Sequence, residues 1–344
     1  MKVVADLDIP FLEGVFEPYG EVVYKKGIDI VADDVVDADA LLVRTRTQCD
    51  AALLEGSKVK IVASATIGTD HIDKEYCASR GIEVANASGC NAGGVMQYVF
   101  SAVYGIAARK GIKLDDVTFG VVGVGNVGKR VAEMAESLGF KVMRCDPPRA
   151  QKEGPEGFCT LEELLAESHV VTLHVPLDET TRGMANEDFF TLIRPGAIFI
   201  NAARGEVVDE AALMAAIPKL GAVVIDTWNN EPTVNEDLVE MVDIATPHIA
   251  GYSYQGKVNG TRMAVRAVAE CLGLEALKEF SPDDSDEDRQ PVRLDLRGRN
   301  HGEIAAVLQY NYPIFTDDFR FRMEPHKFEK LRNEYQYRRE IVLE

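Results

Sequence analysis

The stretch Gly123-Val124-Gly125-Asn126-Val127-Gly128 limits what this chain can fold into more than any other. A G-x-G-x-x-G alone is a weak signal, because glycine-rich turns arise for many reasons, so the flanks decide. It follows an apolar run at 117–122 and opens a stretch with Val127, Val131, Met134 and Leu138 on one helical face, closed by Gly139 as a C-terminal cap. Eighteen residues beyond Gly128, after a second apolar run at 142–145, stands Asp146. Strand, glycine turn, helix, strand and acid form the full dinucleotide fingerprint. The glycines let backbone approach a pyrophosphate, the helix N-terminus supplies N–H groups and positive dipole, and the acid bonds a ribose diol. Contacts are expected at Gly123, Gly125, Asn126, Val127, Gly128 and Asp146. An acid at 146 repels a 2′-phosphate, which favours NAD over NADP, while Arg144 and Arg149 nearby argue the other way.

Short apolar runs at 3–5, 22–24, 40–43, 61–65 and 82–85 alternate with helical patterns such as 51–54 and 70–79. Runs this short without polar alternation suit strands buried on both faces, and βα alternation argues a parallel sheet. A helix over 95–109 introduces the second unit, with strands expected at 117–122, 142–145, 170–175, 197–201, 222–226 and 244–246. The fold class is therefore α/β, with a Rossmann-type doubly wound nucleotide domain. At 281–288 the composition turns acidic and proline-broken, as a linker would. Beyond it, about 55 residues have an apolar strand-like start and a charged helix-like end at 328–339. A segment so small needs a neighbour or a second subunit to pack on.

The chain carries 56 Asp and Glu against 37 Lys and Arg, a net charge of −19. A field of that sign repels phosphodiester backbones and anionic lipid, so neither nucleic acid nor membrane is an expected partner. An acid at position 6 interrupts any signal-peptide core, and no apolar stretch approaches the ~20 residues of a membrane span, so the cytoplasm is expected. The six cysteines lack a C-x-x-C pair, and no metal is expected.

Three polar residues follow the later strands of the nucleotide unit, where ligands bind in open α/β sheets: Arg204, Glu231 and His248. Each alone reads as an ordinary loop or ion-paired residue. Together, beside a nicotinamide, they supply what oxidation of an α-hydroxy acid needs: a carboxylate clamp, a proton acceptor and a group that orients the acceptor. Arg44 and Arg46, with Arg338 and Arg339 near the C-terminus, are further cations available to an anionic substrate.

The glycine turn, Ala202-Ala203-Arg204-Gly205, the 226–232 stretch and Pro247-His248 resemble the D-2-hydroxyacid dehydrogenase family over residues 1 to about 280. Ser64-Ala65-Thr66-Ile67-Gly68-Thr69-Asp70-His71, Gly89-Cys90-Asn91-Ala92 and His248-Ile249-Ala250-Gly251-Tyr252 resemble a narrower branch that serves pyridoxal 5′-phosphate synthesis. That resemblance implies NAD-dependent oxidation of 4-phospho-D-erythronate at C2, a phosphorylated hydroxy acid. It carries the catalytic roles to Arg204, Glu231 and His248, cofactor contacts to Asp146, Asp226 and Gly251, and substrate contacts to Thr45, Thr66 and Tyr252. Arg44 is expected to help Thr45 and Tyr252 cradle the phosphate. The family also implies a homodimer and a flavodoxin-like α/β substrate domain at 1–92, completed by a return segment at 253–280. The NAD-binding domain would then span 93–252, the acidic linker 281–290 and a small α+β dimerisation region 291–344. Two other readings stay open: a related dehydrogenase acting on 3-phosphoglycerate or an unphosphorylated acid, and an NAD-sensing binding protein.

Overall fold

A computed structural model of the chain describes residues 1–283 and 286–343. Asp284 and Ser285, within the expected acidic linker, lie outside the described residues, as does Glu344 at the end of the expected C-terminal region. The chain forms two compact units, one from Met1–Asn91 with Ser253–Pro291, the other from Ala92–Tyr252 with Val292–Glu344.

The first unit holds a parallel sheet of five strands, β1 (Lys2–Asp6), β2 (Glu21–Lys25), β3 (Ala40–Val43), β4 (Ile61–Ser64) and β5 (Glu83–Asn86), in the order β2-β1-β3-β4-β5. The two faces have separate cores. Val3, Ala5, Ala40 and Leu42 pack with Ala264, Val265, Val268 and Ala269 of the Tyr254–Leu272 helix, while the alternate residues Val4, Leu41 and Val43 pack with Val35, Leu54 and Cys77. Strands that are apolar at every position are thus explained by burial on both sides.

The second unit holds a parallel sheet of six strands, β6 (Thr118–Val122), β7 (Lys141–Cys145), β8 (Val170–Leu173), β9 (Ile198–Asn201), β10 (Ala222–Ile225) and β11 (Ile244–Ala245), in the order β7-β6-β8-β9-β10-β11. Phe119, Val121 and Val224 enter one core and Val122, Val223 and Ile225 the other. All eleven sequence-expected strands form, with ends displaced by at most two residues.

Several helix starts are set by side-chain caps. The helix expected over 70–79 begins only at Lys74, because the Asp73 carboxylate accepts from the Tyr76 amide at 2.8 Å. Thr160 and Glu163 form a capping box at the start of Leu161–Glu167, and such caps contribute about 1 kcal/mol each.

The C-terminal segment packs on the second unit: Ile304, Leu308, Tyr312, Ile314 and Ile341 join the core around the Ala92–Lys110 helix. It holds two helices that the sequence pattern does not announce, His301–Asn311 and Ile314–Met323. The charged stretch 328–339 is helical only over Phe328–Asn333, and the chain then runs irregularly into β13 (Ile341–Leu343), which pairs in parallel with β12 (Val292–Leu294). No helix among the described residues is long and apolar enough to cross a membrane.

Candidate active site

In the second sheet, strand order reverses between β6 and β8, and the chain leaves β6 through Gly123 with φ +83°. The three motif glycines are needed for three reasons. A Cβ on Gly123 would lie 2.7 Å from the His174 carbonyl oxygen, and one on Gly128 only 1.9 Å from the Gly123 carbonyl oxygen, so the Asn126–Ser137 helix can approach the strand only without side chains there. Gly125 faces open space, with nothing within 4 Å of its Cβ position. This is the place where backbone can meet a pyrophosphate. The recess beside it, about 700 Å³, is lined by Val124, Gly125, Asn126, Lys129, Arg130, Glu133 and Arg149.

Asp146 follows β7 and rims this turn, its Oδ2 accepting from the Val124 amide at 2.7 Å and its Oδ1 from the Arg149 amide at 3.1 Å. Both arginines that could have welcomed a 2′-phosphate already have carboxylates. Arg149 pairs bidentately with Glu153 at 2.8 and 2.7 Å, and Arg144 with Glu136 at 2.7 Å. That tilts the balance further toward NAD.

Sequence reasoning missed His174, which follows β8 at the reversal point. Its ring bonds Thr172 Oγ1 at 3.0 Å, and burial pushes its pKa down to about 3, so it stands neutral beside the turn. A lone His after a buried strand carries no motif that would have flagged it.

Arg204, Glu231 and His248 come from beyond β9, β10 and β11, three neighbouring strands. Asn201 shapes the first turn, donating to the Arg204 carbonyl at 2.9 Å and accepting from the Ala203 amide at 3.1 Å. Gly205 is required there, since a Cβ would lie 2.0 Å from the Trp228 carbonyl group. Glu231 Oε1 accepts from the Trp228 amide at 3.0 Å, and its Oε2 lies 2.8 Å from His248 Nδ1. Burial acts to raise the Glu231 pKa, but His248, the Trp228 amide and Arg332 outweigh it and hold the carboxyl below its ordinary value. A carboxylate can only accept, so Nδ1 carries a proton, and in the neutral ring Nε2 is the nitrogen with the lone pair.

His248 has φ +56°, in the left-handed region. Its amide donates to the Asp226 carbonyl at 2.8 Å, and the Asp226 carboxylate accepts from the Ile249 and Ala250 amides at 2.8 and 2.9 Å and from Thr246 Oγ1 at 2.7 Å. Asp226, expected at the cofactor, is 1% exposed and anchors the loop that presents His248. Gly251 lies in the same loop, half-buried. Tyr252 ends it, edge-on to Tyr335 and Tyr337, with the Arg332 guanidinium 5.6 Å from its ring centre.

Of the expected substrate residues, Arg44, Thr45 and Thr66 belong to the first unit, just beyond the adjacent strands β3 and β4. Arg44 donates to the Asp8 carbonyl at 3.2 Å, and Thr66 Oγ1 lies 2.8 Å from Ser64 Oγ. Among the described residues, no group of three or more His, Cys, Asp or Glu comes together to hold a metal ion.

Residues 98–250 match the model of the D-isomer specific 2-hydroxyacid dehydrogenase NAD binding domain. Over 99% of its length the chain is 42% identical to erythronate-4-phosphate dehydrogenase of Bacteroides thetaiotaomicron, covering 97% of that protein. The chain belongs to the D-isomer specific 2-hydroxyacid dehydrogenases. Erythronate-4-phosphate dehydrogenase of Yersinia pestis is 39% identical, with 99% of this chain and 93% of that one covered. Among solved structures, NAD+-bound 3-phosphoglycerate dehydrogenase of Entamoeba histolytica matches with a TM-score of 0.67 and 30% identity, over 81% of this chain and 97% of that one. D-lactate dehydrogenase of Aquifex aeolicus, complexed with NAD and lactic acid, gives 0.68 and 26% over 81% and 98%. As a D-2-hydroxyacid dehydrogenase the chain uses NAD, and the matched 98–250 region contains the glycine turn, Asp146, Arg204, Glu231 and His248 while ending two residues before Tyr252.

Proposed function

We propose that the chain oxidises 4-phospho-D-erythronate at C2 to 2-oxo-3-hydroxy-4-phosphobutanoate, a step toward pyridoxal 5′-phosphate. The observation that carries the reading is the 2.8 Å contact between Glu231 and His248, which follow β10 and β11 of the same sheet as the glycine turn. Near-full-length identity to two erythronate-4-phosphate dehydrogenases supports this substrate over other hydroxy acids. Bound NAD supplies the hydride acceptor for C2. The chain's own residues do the rest. His248 Nε2 takes the C2 hydroxyl proton, and Glu231 stabilises the imidazolium that results. Arg204 forks onto the substrate carboxylate and polarises the developing carbonyl. Arg44, Thr45, Thr66 and Tyr252 take the rest of the substrate, with Arg44 on the phosphate. Asp146, Asp226 and Gly251 serve the cofactor side. A homodimer in the cytoplasm completes the proposal: Tyr310, Phe319 and Met323 leave large apolar side chains 88%, 63% and 63% exposed on the C-terminal helices, where a second copy can cover them.

The test is a substrate panel on purified protein with NAD and with NADP: 4-phosphoerythronate, 3-phosphoglycerate and D-lactate. The highest kcat/KM is expected for 4-phosphoerythronate with NAD. A preference for 3-phosphoglycerate or lactate overturns the substrate, and tight NAD binding without turnover on any of them makes the chain a cofactor sensor.

A further inference from the structure

A non-glycine residue in the left-handed region costs about 1–3 kcal/mol and persists only where its surroundings over-determine it. For His248 the amide side of the loop is held by Asp226. The carbonyl side is held from the far end of the chain. Arg338, 9% exposed, donates from Nη1 to the Ile249 carbonyl at 3.1 Å and the Tyr252 carbonyl at 3.3 Å, and from Nη2 to the Ala250 carbonyl and, at 3.0 Å, to the Gly94 carbonyl. Its guanidinium carbon sits 4.2 Å from the Tyr312 ring centre, and Tyr335 Oη, 3.2 Å away, donates in turn to Asp317 at 2.9 Å. The Val292 amide bonds the Glu340 carbonyl at 2.8 Å, and β13 pairs with β12, so the segment that carries Arg338 is itself fixed.

We infer that Arg338 is a positioning residue for the dehydrogenase reaction, clamping the carbonyls of loop 249–252 so that His248 meets the substrate hydroxyl. The inference rests on His248 being the proton acceptor. A buried anion grips the N–H groups of the loop and a buried cation grips its C=O groups, so each charge is solvated by peptide dipoles that the other aligns. Only the planar fork of arginine, with five donors, can reach four carbonyls at once, whereas a lysine offers three donors at a single point. Arg338 is thereby occupied by backbone and does not serve the substrate phosphate.

Arg322 provides a matched control in the same segment. It donates to the Val239 and Val242 carbonyls and pairs with Asp318 at 2.8 Å, the same chemistry at the end of the Glu236–Met241 helix, which carries no catalytic group. Wild type, Arg338→Met, Arg338→Lys, Arg322→Lys and His248→Asn are compared for kcat and KM on 4-phosphoerythronate, NADH affinity by fluorescence and Tm. Misplacing a catalytic group by an ångström costs about 10²-fold, so Arg338→Met is expected to lose ~10² in kcat with NADH affinity kept, and Arg338→Lys to recover part of it. Arg322→Lys is expected to lower Tm and keep kcat. If the Arg338 variants keep kcat, or lose it no more than Arg322→Lys at equal Tm, the assignment is wrong. Should Arg338→Met not fold, Arg338→Lys decides on the same readouts. Retained turnover in His248→Asn overturns the proton-acceptor reading itself, whatever the Arg338 variants do.

Discussion

The two sheets share one strand order over their first five strands, 2-1-3-4-5 counted within each, and both reverse direction between their first and third strands. They differ in the residues at the exit of the first strand. In the second unit these are Gly123, whose amide is held by the Cys145 carbonyl at 2.8 Å, and then the open Gly125 leading into a helix N-terminus, which presents N–H groups. In the first unit they are Asp6, Leu7 and Asp8, with the Asp6 carboxylate 2% exposed, accepting from the Asp8 amide at 3.0 Å. One crevice offers donors and the other a buried anion. The topology supplies the crevice, and a handful of residues at its mouth decide whether a dinucleotide can enter.

Four experiments put that contrast at risk. The largest effect is expected from His248→Asn: if the chemistry belongs to the second sheet's strand ends, kcat falls by ~10²–10⁴ while NADH affinity holds. Asp146→Ala removes an acceptor that serves a charged hydrogen bond worth roughly 1.5–3 kcal/mol, so NAD affinity is expected to fall about 10- to 100-fold with that for NADP little changed. Titration with both cofactors checks it. Gly128→Ala forces a methyl against the Gly123 carbonyl, an overpacking cost of about 1–3 kcal/mol seen in denaturant unfolding, whereas Gly125→Ala leaves stability alone and weakens NADH binding.

The smallest effects are in pH. His174 has a folded pKa lowered to about 3, so it contributes stability above its ordinary 6.5 that is lost as pH falls toward 3, by at most about 1.4 kcal/mol per pH unit. For Asp6 the sign reverses. Burial raises its pKa above 3.8, so the folded first unit takes up a proton more readily than the unfolded chain and is relieved, not weakened, as pH falls through the raised value. His174→Gln should flatten the acid loss in the second unit, and Asp6→Asn should give a small gain in the first unit at neutral pH that vanishes in acid. Hydrogen exchange resolved by unit reads both, and parallel pH responses of the two units would remove the contrast.

Much of this was legible in the amino-acid order because it is local. Apolar runs such as Ala40–Val43 and Ala222–Ile225 announce strands buried on both faces, and the glycine turn with Asp146 announces the cofactor. Arg204, Glu231 and His248 could be singled out because their chemistry is complementary, and the fold places them beyond three neighbouring strands. The features that escaped depend on partners far away in the chain. Asp226 reads as a residue after a strand, and nothing nearby says that its carboxylate will be spent on the amides of 249 and 250. Arg338 looks like one more surface cation in a charged tail, and only the fold brings it to four carbonyls, one of them 244 residues earlier. The helices His301–Asn311 and Ile314–Met323 escaped because their apolar residues do not gather on one clear face, their packing being settled by the Ala92–Lys110 helix instead.

The parallel pairing of β12 with β13 has a consequence in time. On a ribosome the glycine turn, Asp146, Asp226, Glu231 and His248 are all made before Arg338, the residue that grips the carbonyls of the loop. A product that stops after residue 337 would keep the whole nucleotide sheet and recognise NAD, yet lack the guanidinium behind His248. On the clamp proposed for Arg338, such a product is expected to bind NADH as the full chain does while turning over ~10²-fold more slowly.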